Sequence, residues 1–254
     1  MMIVNRRNFF QACLAVTAGR AFAQGAPRRI RALSYNIHHG EGMDRRVDLP
    51  RIAGVITSVS PDVVMLQEVD RRVRRTGGVD QLAELSRLTS MPAYWGKTID
   101  LQDGEYGNGI LTRLPIAEHS NLRLPGAEPR AMVSVRTDDG MWFLATHFDV
   151  GRTSEQRVES AARINQWMES RGTAPAILAG DFNDVRGSRA IGKLAGQWAI
   201  AGKEIPTIPV VNPKRQIDFI LFRPAARWRV VEVKVLDEQA ASDHRPIFGE
   251  FELL

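Results

Sequence analysis

Apolar and polar positions along this chain switch between a period near two and a period near 3.6, and the switches divide it into strands and helices. Ile30-Arg31-Ala32-Leu33-Ser34-Tyr35 alternates and predicts a strand ending at Asn36. Leu49, Ile52, Ile56 and Val59 then recur at helical spacing, with Asp48 as N-cap and Pro50 in the first turn, until Ser60-Pro61 stops the run. Asp62-Val63-Val64-Met65-Leu66-Gln67 reads as a buried strand that delivers Glu68 at its end. This strand, helix, strand unit puts polar residues at strand C-termini, where ligand sites of α/β sheets gather.

A second helix is predicted from Asp80 to Leu88, with Leu82, Leu85 and Leu88 inward, and strands follow at Gly109 to Thr112, Ala131 to Arg136 and Met141 to Thr146. Asp138-Asp139-Gly140 is a hairpin turn, which makes the last two antiparallel. Thr153 with Gln156 resembles a capping box opening a long helix to about Arg171, and Pro175 to Ala179 is another buried strand, leading into Gly180-Asp181. The final third offers strands at Ile217 to Phe222, Trp228 to Leu236 and Ile247 to Leu253. No linker, short repeat or low-complexity tract interrupts the pattern. Two similar halves, each mixing antiparallel strands with helices, predict an α/β fold of two sheets packed face to face with helices outside.

Length fits that picture, since 254 residues with 44% hydrophobic content can bury one substantial core as a single domain. The formal charge of +5 hints at a polyanionic partner, but Arg6, Arg7 and Arg20 lie in the first 23 residues with no acid among them, and their removal leaves +2. That leader joins the Arg pair to the apolar stretch Ala12 to Ala18 and the small-residue pattern Ala21-Phe22-Ala23. The order reads as a twin-arginine export signal over residues 1–23, followed by one domain over 24–254 in the periplasm or outside the cell. The apolar stretch falls short of the roughly 20 residues that cross a bilayer, so no stable membrane span is expected. Cys13, the sole cysteine, sits in the leader, which excludes a thiol nucleophile or a cysteine metal site in the mature chain.

The polar residues beside the apolar runs form five islands: Tyr35-Asn36-Ile37-His38, Gln67-Glu68-Val69, Thr146-His147-Phe148-Asp149, Gly180-Asp181-Phe182-Asn183-Asp184 and Ser242-Asp243-His244-Arg245-Pro246. Carboxylate and amide oxygens suit a hard cation such as Mg²⁺, and two histidines suit proton transfer near neutral pH. Hydrolysis of an anionic phosphoester needs both, because water is repelled by the substrate and the departing oxygen gathers charge. Glu68 follows an apolar strand where an unpaired carboxylate is costly; a metal or one of Arg71, Arg72, Arg74 and Arg75 would satisfy it. Asp181 and Asn183, two apart, point to one side of an extended segment with Phe182 turned into the core. Asp243 and His244, being adjacent, face opposite ways, so another carboxylate must orient the imidazole; Asp218, inside the apolar run Ile217 to Leu221, is the candidate. His147 is then free to act on the opposite face of a substrate.

In order and spacing these islands, with Ile217-Asp218-Phe219, resemble the endonuclease/exonuclease/phosphatase superfamily across nearly the whole mature chain. The resemblance implies a four-layer α/β sandwich and a Mg²⁺ cofactor, sometimes Mn²⁺. It implies that Asn36, Glu68 and Asp243 hold the metal, that His244 paired with Asp218 activates water, and that Asp181 and Asn183 orient water and phosphate. It further implies that His147 acts on the leaving side, that Arg130 contacts phosphate, and that Tyr106 and Asn108 form a less constant element on the substrate side. It assigns no duty to His38 and His39, which read as loop residues. General-base assignments within the superfamily differ between the histidine and the aspartate of the Gly-Asp-x-Asn island; the partner carboxylate at Asp218 favours His244.

The leading expectation is therefore an exported, metal-dependent phosphodiesterase or phosphatase, expected as a monomer, acting on a small phosphoester, a lipid head group or a nucleic acid. A nuclease would use the basic run at Arg71 to Arg75, although a mature charge of +2 is modest for tracking a polyanion. A binding module of the same fold without catalysis is the alternative of another class, and it would be expected to lack some of the carboxylates or histidines present here. Replacing both Arg6 and Arg7 with Lys is expected to hold the protein in the cytoplasm, as measured by fractionation; unchanged export would remove the twin-arginine reading.

Overall fold

In the computed structural model, which describes residues 28–254, strand β1 (Arg28–Asn36) buries both faces: Ile30 and Ala32 toward a second sheet, Leu33 and Tyr35 toward helices. The expected leader and Cys13 lie outside the described residues. Strand β2 (Val63–Arg71) divides its side chains the same way, Val63 and Met65 inward and Val64 and Leu66 outward, as a near-continuous apolar run requires of a strand covered on both sides. Between them helix α1 (Leu49–Ser58) starts at Asp48, whose carboxylate accepts from Arg51 N at 2.9 Å, and it crosses over so that β1 and β2 pair in parallel. Helix α2 (Gln81–Thr89), capped by Asp80, covers the same face.

The first sheet continues through β3 (Ala93–Leu101) and β4 (Gly104–Thr112) and is closed on its far side by β11 (Trp228–Val235) and β12 (Ile247–Leu253), in the order β11-β12-β1-β2-β4-β3. The second contains β5 (Ile116–Leu124), β6 (Arg130–Thr137), β7 (Trp142–His147), β8 (Ala176–Asp181), β9 (Ala199–Ile200) and β10 (Asp218–Arg223), in the order β5-β6-β7-β8-β10-β9. Only β1 with β2 and β7 with β8 run parallel; the other pairs are antiparallel. Helices α3 (Glu155–Glu169) and α4 (Arg189–Ala195) cover the outer face of the second sheet with Ile164, Met168, Ile191 and Leu194. The result is the four-layer α/β sandwich expected from the sequence, with one core between the sheets and one under each helix pair.

Four elements escape the hydrophobic pattern for identifiable reasons, β9 because its two residues carry no period. Strands β3 and β5 are sheet edges and leave most of their side chains in contact with solvent, so period-two burial never develops. Helix α4 spans seven residues, too few to display a helical period. The capping box at Thr153 and Gln156 does not form: Ser154 precedes the helix with φ −87° and ψ −6°, already helical, and makes no side-chain cap. Among the described residues no helix is long and apolar enough to cross a membrane.

One contact between strands sets the position of the polar rim. In the parallel register of β7 and β8, Thr146 lies opposite Gly180 and His147 opposite Asp181, and a Cβ on Gly180 would overlap the Thr146 carbonyl oxygen. Gly180→Ala is expected to destabilise the mature protein by about 2–4 kcal/mol, because backbone rather than a flexible side chain must move. Urea denaturation of both proteins measures it; a change below about 0.5 kcal/mol, the scatter of ordinary surface substitutions, would show that the strands are not held this tightly.

Candidate active site

Strand ends bring the polar residues together. Asn36 closes β1, His147 closes β7, Asp181 closes β8, and Asp218 opens β10 directly across from Asp181. Glu68 arrives differently: it has φ +60°, and the pairing of β2 with β4 slips between Leu66 and Val69, so a bulge turns its carboxylate toward the rim. A non-glycine residue in that conformation costs roughly 1–3 kcal/mol, which surrounding structure must hold in place.

Asn36 is the hub between the sheets. Its Nδ2 donates to Glu68 Oε1 at 3.0 Å and to Asp181 Oδ2 at 3.1 Å, while its Oδ1 accepts from His38 N at 3.0 Å. The backbone donor fixes which end of the amide is oxygen. Ser242 completes the junction: its Oγ donates to Asn36 O at 2.8 Å and accepts from His244 N at 3.2 Å, locking the last loop against the end of β1.

His244 faces two buried carboxylates. Its Nδ1 lies 3.0 and 3.2 Å from the Asp218 oxygens, and its Nε2 lies 3.7 Å from Asp181 Oδ2. Burial opposes charge on this ring, but Asp218 and Asp181 together outweigh it and raise its pKa to about 10. Asp181 is pushed up in turn, chiefly by burial, with His244 pulling it down and Asp218 and Glu68 adding to the rise. The Nδ1 contact places a proton on the Asp218 side and leaves Nε2 facing the rim.

His147 is the opposite case. Its Nε2 takes the Asn183 amide at 3.0 Å and stands 3.6 Å from Asp181 Oδ2. Burial first, then Arg130 and His244, hold it well below the ordinary histidine range, so it is a neutral acceptor. Its Nδ1 is buried without a hydrogen-bond partner among the described residues. Asn183 also donates to Phe148 O at 3.0 Å, and its own amide N donates to Asp181 Oδ1 at 2.8 Å. Asp181 and Asn183 do share one side with Phe182 in the core, but through a turn, since Asn183 has φ +46° instead of an extended backbone.

Arg130 is buried, pairs with Glu128 at 2.7 Å, and keeps an Nε that has no partner among the described residues. Tyr106 is buried close enough to Glu68 and Arg130 to feel both charges, and burial raises its phenol well above its usual value. Asn108 spends its amide on Ala131 O at 2.9 Å, tying β4 to β6 from one sheet to the other. Asp243 is exposed, and its side chain meets only Ser242 Oγ at 3.4 Å, so it stands at the rim outside the contacts joining Asn36, Glu68 and Asp181.

The acidic residues offer two places for a cation. Asp181, Asp218 and His244 lie within 4.8 Å of one another, but both Asp218 oxygens are engaged by the His244 ring. The Asn36, Glu68 and Asp181 group fits better: two carboxylates converge with only the Nδ2 protons of one neutral amide between them, and a cation replacing those protons would meet carboxylate oxygens, joined by Asn36 Oδ1 once that amide turns over from His38 N. A hard divalent cation matches that set and would favour the charged form of Asp181, which burial chiefly, and Asp218 and Glu68 after it, oppose.

Behind the rim a clamp orders two islands at once. Arg157, buried on the inward stripe of α3, donates to the carbonyls of Asp149 and Gly151 and to Asp184 Oδ2 at 3.1, 2.7 and 3.0 Å. Asp149 in turn accepts from Ala127 N at 3.0 Å, anchoring the segment that leads to Arg130. The signal in the sequence was a charged residue occupying a core position of a helix. The basic run beside Glu68 is largely spoken for: Arg71 pairs with Asp80 and Glu105, Arg74 with Asp103 and Arg75 with Asp70.

Comparison with known proteins bears on the family and the fold. Residues 33–244 match the model of the Endonuclease/Exonuclease/phosphatase family. The chain is 27% identical to the uncharacterized protein YbhP of Escherichia coli over 243 residues, covering 88% of this chain and 96% of that one. Among solved structures it is similar to an endonuclease/exonuclease/phosphatase from Beutenbergia cavernae, at 25% identity and a TM-score of 0.78, covering 89% of this chain and 72% of the other. It shares its fold with a mannosyl-6-phosphatase of Bacteroides thetaiotaomicron, at 20% identity and a TM-score of 0.68, over 87% of this chain and 99% of that one.

The raised pKa of His244 has a defined consequence for the chelated, metal-free protein. A ring shifted up from its ordinary 6.5 to about 10 gives stability that is whole below pH 6.5 and is lost as pH rises through 10. At pH 8 its ring signals are expected to be those of imidazolium, and Asp218→Asn is expected to move the titration to lower pH, as followed by NMR. Titration near 6.5 in both proteins would contradict the pairing.

Proposed function

Because the chain belongs to the endonuclease/exonuclease/phosphatase family, we propose that it is an exported hydrolase of phosphoester bonds that works with Mg²⁺, for which Mn²⁺ can substitute. The observation that carries this reading is the convergence, on one rim, of the Asp218 and His244 pair, the buried Asp181, the Glu68 carboxylate and the Asn36 amide. Asn36 and Glu68 would hold the cation, with Asp243 reaching in from the last loop. When bound, the cation supplies positive charge to the phosphoryl and departing oxygens.

The residues divide the remaining work. Asp218 keeps one His244 proton on Nδ1; once the carboxylates that hold the ring charged are offset by a cation at the site, Nε2 is freed of the other and can accept the proton of a water lodged against Asp181. That water forms the new bond to phosphorus as the bond to the departing alcohol oxygen breaks. Arg130 Nε, without a partner among the described residues, would donate to a phosphoryl oxygen, while Asn183, whose two amide protons go to His147 Nε2 and Phe148 O, positions the His147 ring. His147 stays neutral while burial and Arg130 suppress its charge; a phosphate seated between the two offsets the cation and lets His147 carry the proton that the departing oxygen needs.

Whether a monoester or a diester is cleaved depends on what occupies the space beside Glu68. The fold neighbour named as a mannosyl-6-phosphatase lends support to a monoester for this chain. The ion pairing of Arg71, Arg74 and Arg75 weighs against a nuclease, since those cations already have carboxylate partners.

Purified mature protein is expected to hydrolyse p-nitrophenyl phosphate or its bis-aryl diester with Mg²⁺ and to stop with chelator. His244→Ala should lower kcat roughly 10²–10⁴-fold, the usual worth of a general base. Glu68→Gln should raise the Mg²⁺ concentration for half-maximal rate. Activity that survives His244→Ala removes the assigned base, and a metal-replete protein inert on every phosphoester favours the binding module.

A further inference from the structure

Two consecutive histidines stand in a backbone conformation that neither favours, and both face the same hollow. His38 and His39 have φ of +46° and +42°, in a single turn directly after Asn36. Side chains with a Cβ avoid that region, so something must hold the turn. Asn36 Oδ1 takes His38 N at 3.0 Å, Gln81 donates to the His39 carbonyl at 2.6 Å, and His38 Nδ1 meets Glu41 O at 3.1 Å. Gln81 is itself buried and also receives Asp70 N at 2.9 Å. A turn secured from three sides is positioned for its side chains.

The hollow has a volume of about 240 Å³, with walls that include His38, His39, Glu68, Arg75, Tyr106 and Glu128. It opens beside the Glu68 carboxylate, at the cation site described above. Pockets for drug-sized ligands run from about 300 Å³ upward, so this one suits a single small ring. Stacked bases would not fit, and the Tyr106 ring is already covered by Arg75 at 5.6 Å.

The hydrogen-bonding capacity left on the walls is mixed. The His39 ring has its Nδ1 covered by neighbouring atoms, and its Nε2, 3.7 Å from Glu41 Oε2, is the nitrogen that keeps hydrogen-bonding capacity for a ligand. Arg75 binds Asp70 through Nε and Nη2, both at 2.8 Å, which leaves Nη1 as a donor. Glu128 meets Arg130 through Oε1 and keeps Oε2 as an acceptor. Tyr106, held as a phenol, can donate. Both cations near the hollow, Arg75 and Arg130, thus have a carboxylate opposite them, and a second phosphate would meet no unpaired positive charge there. Hydroxyl groups, which donate and accept at one atom, match such a wall.

We propose that this hollow is the subsite for the organic part of the substrate, that it takes a compact neutral polyol such as a monosaccharide bearing a single phosphoryl group, and that His39 is its specificity-determining residue. The assignment rests on the phosphoester-hydrolase reading for its substrate but not for its binding. Asparagine tolerates left-handed backbone, so His39→Asn keeps the turn while withdrawing the ring.

The test uses the mature protein with Mg²⁺ and four probes: glucose 6-phosphate, fructose 1,6-bisphosphate, p-nitrophenyl phosphate and a thymidine dinucleotide. The expected order of kcat/KM places glucose 6-phosphate at least tenfold above the bisphosphate and the dinucleotide. In His39→Asn the ratio of glucose 6-phosphate to p-nitrophenyl phosphate should fall at least tenfold, with circular dichroism and thermal midpoint reporting that the variant is folded. A ratio unchanged in a folded variant, or a wild-type preference for the dinucleotide or the bisphosphate, overturns the proposal. Calorimetric titration of the wild type with glucose 6-phosphate, without metal, separates the two readings. Saturable binding, with no hydrolysis of any probe once Mg²⁺ is present, leaves the subsite standing and rejects the enzyme, whereas Mg²⁺-dependent hydrolysis of p-nitrophenyl phosphate without any such binding rejects the subsite alone.

Discussion

Two buried carboxylates that face each other across adjacent antiparallel strands are the constraint on which the rest of the rim depends. Asp181 and Asp218 are register partners, each only 2% exposed, and like charges directly opposite on a sheet repel. No sheet keeps such a pair without compensation. Here the compensation comes from outside the sheet: the His244 ring reaches both carboxylates from the last loop, and the Asn36 amide reaches Asp181 from the other sheet. The residues that quiet the repulsion are the residues that can move a proton or hold a cation.

That arrangement explains why the two sheets meet at their ends as they do. Between the sheets the contacts are apolar and non-directional, which fixes a separation but not an orientation. At the rim they become polar and specific: Asn36 to Asp181, Ser242 to the end of β1, Asn108 to the start of β6. Each of these bonds lies in a water-poor setting where an unmet partner is expensive, so together they select one relative placement of the strand ends. The contrast between His147, kept neutral by burial beside Arg130, and His244, kept charged by two carboxylates, follows from that placement. Two identical side chains thereby acquire opposite readiness to accept a proton.

Much of the site could be read from residue order. A carboxylate inside the apolar run Ile217 to Leu221 demanded a partner, and Asp218 does meet His244. The helix cap at Asp48 was legible because a side-chain acceptor ahead of an apolar period leaves few alternatives, and the second helix was legible from Leu82 and Leu85, with Asp80 at its start serving as cap. Asn36, Glu68, Asp181 and Asn183 all stood beside apolar runs, and all of them converge. Other features had no local signature. The bulge that turns Glu68 is produced by its mismatch with β4, the placement of Asp243 at the surface follows from the path of its loop, and the pairing of the basic run depends on acids as distant as Asp103 and Glu105.

By itself, the sequence determined the layers, the strand ends and the chemical kinds of the rim residues, because burial periodicity and the cost of lone polar groups act over neighbouring positions. Only the tertiary structure decided which carboxylates share one amide, which histidine is charged, and that His38 and His39 line a hollow next to Glu68. Those outcomes depend on distances of a few ångströms between groups far apart in the chain. Electrostatics and hydrogen bonding depend steeply on such distances, and no periodicity along a chain encodes them.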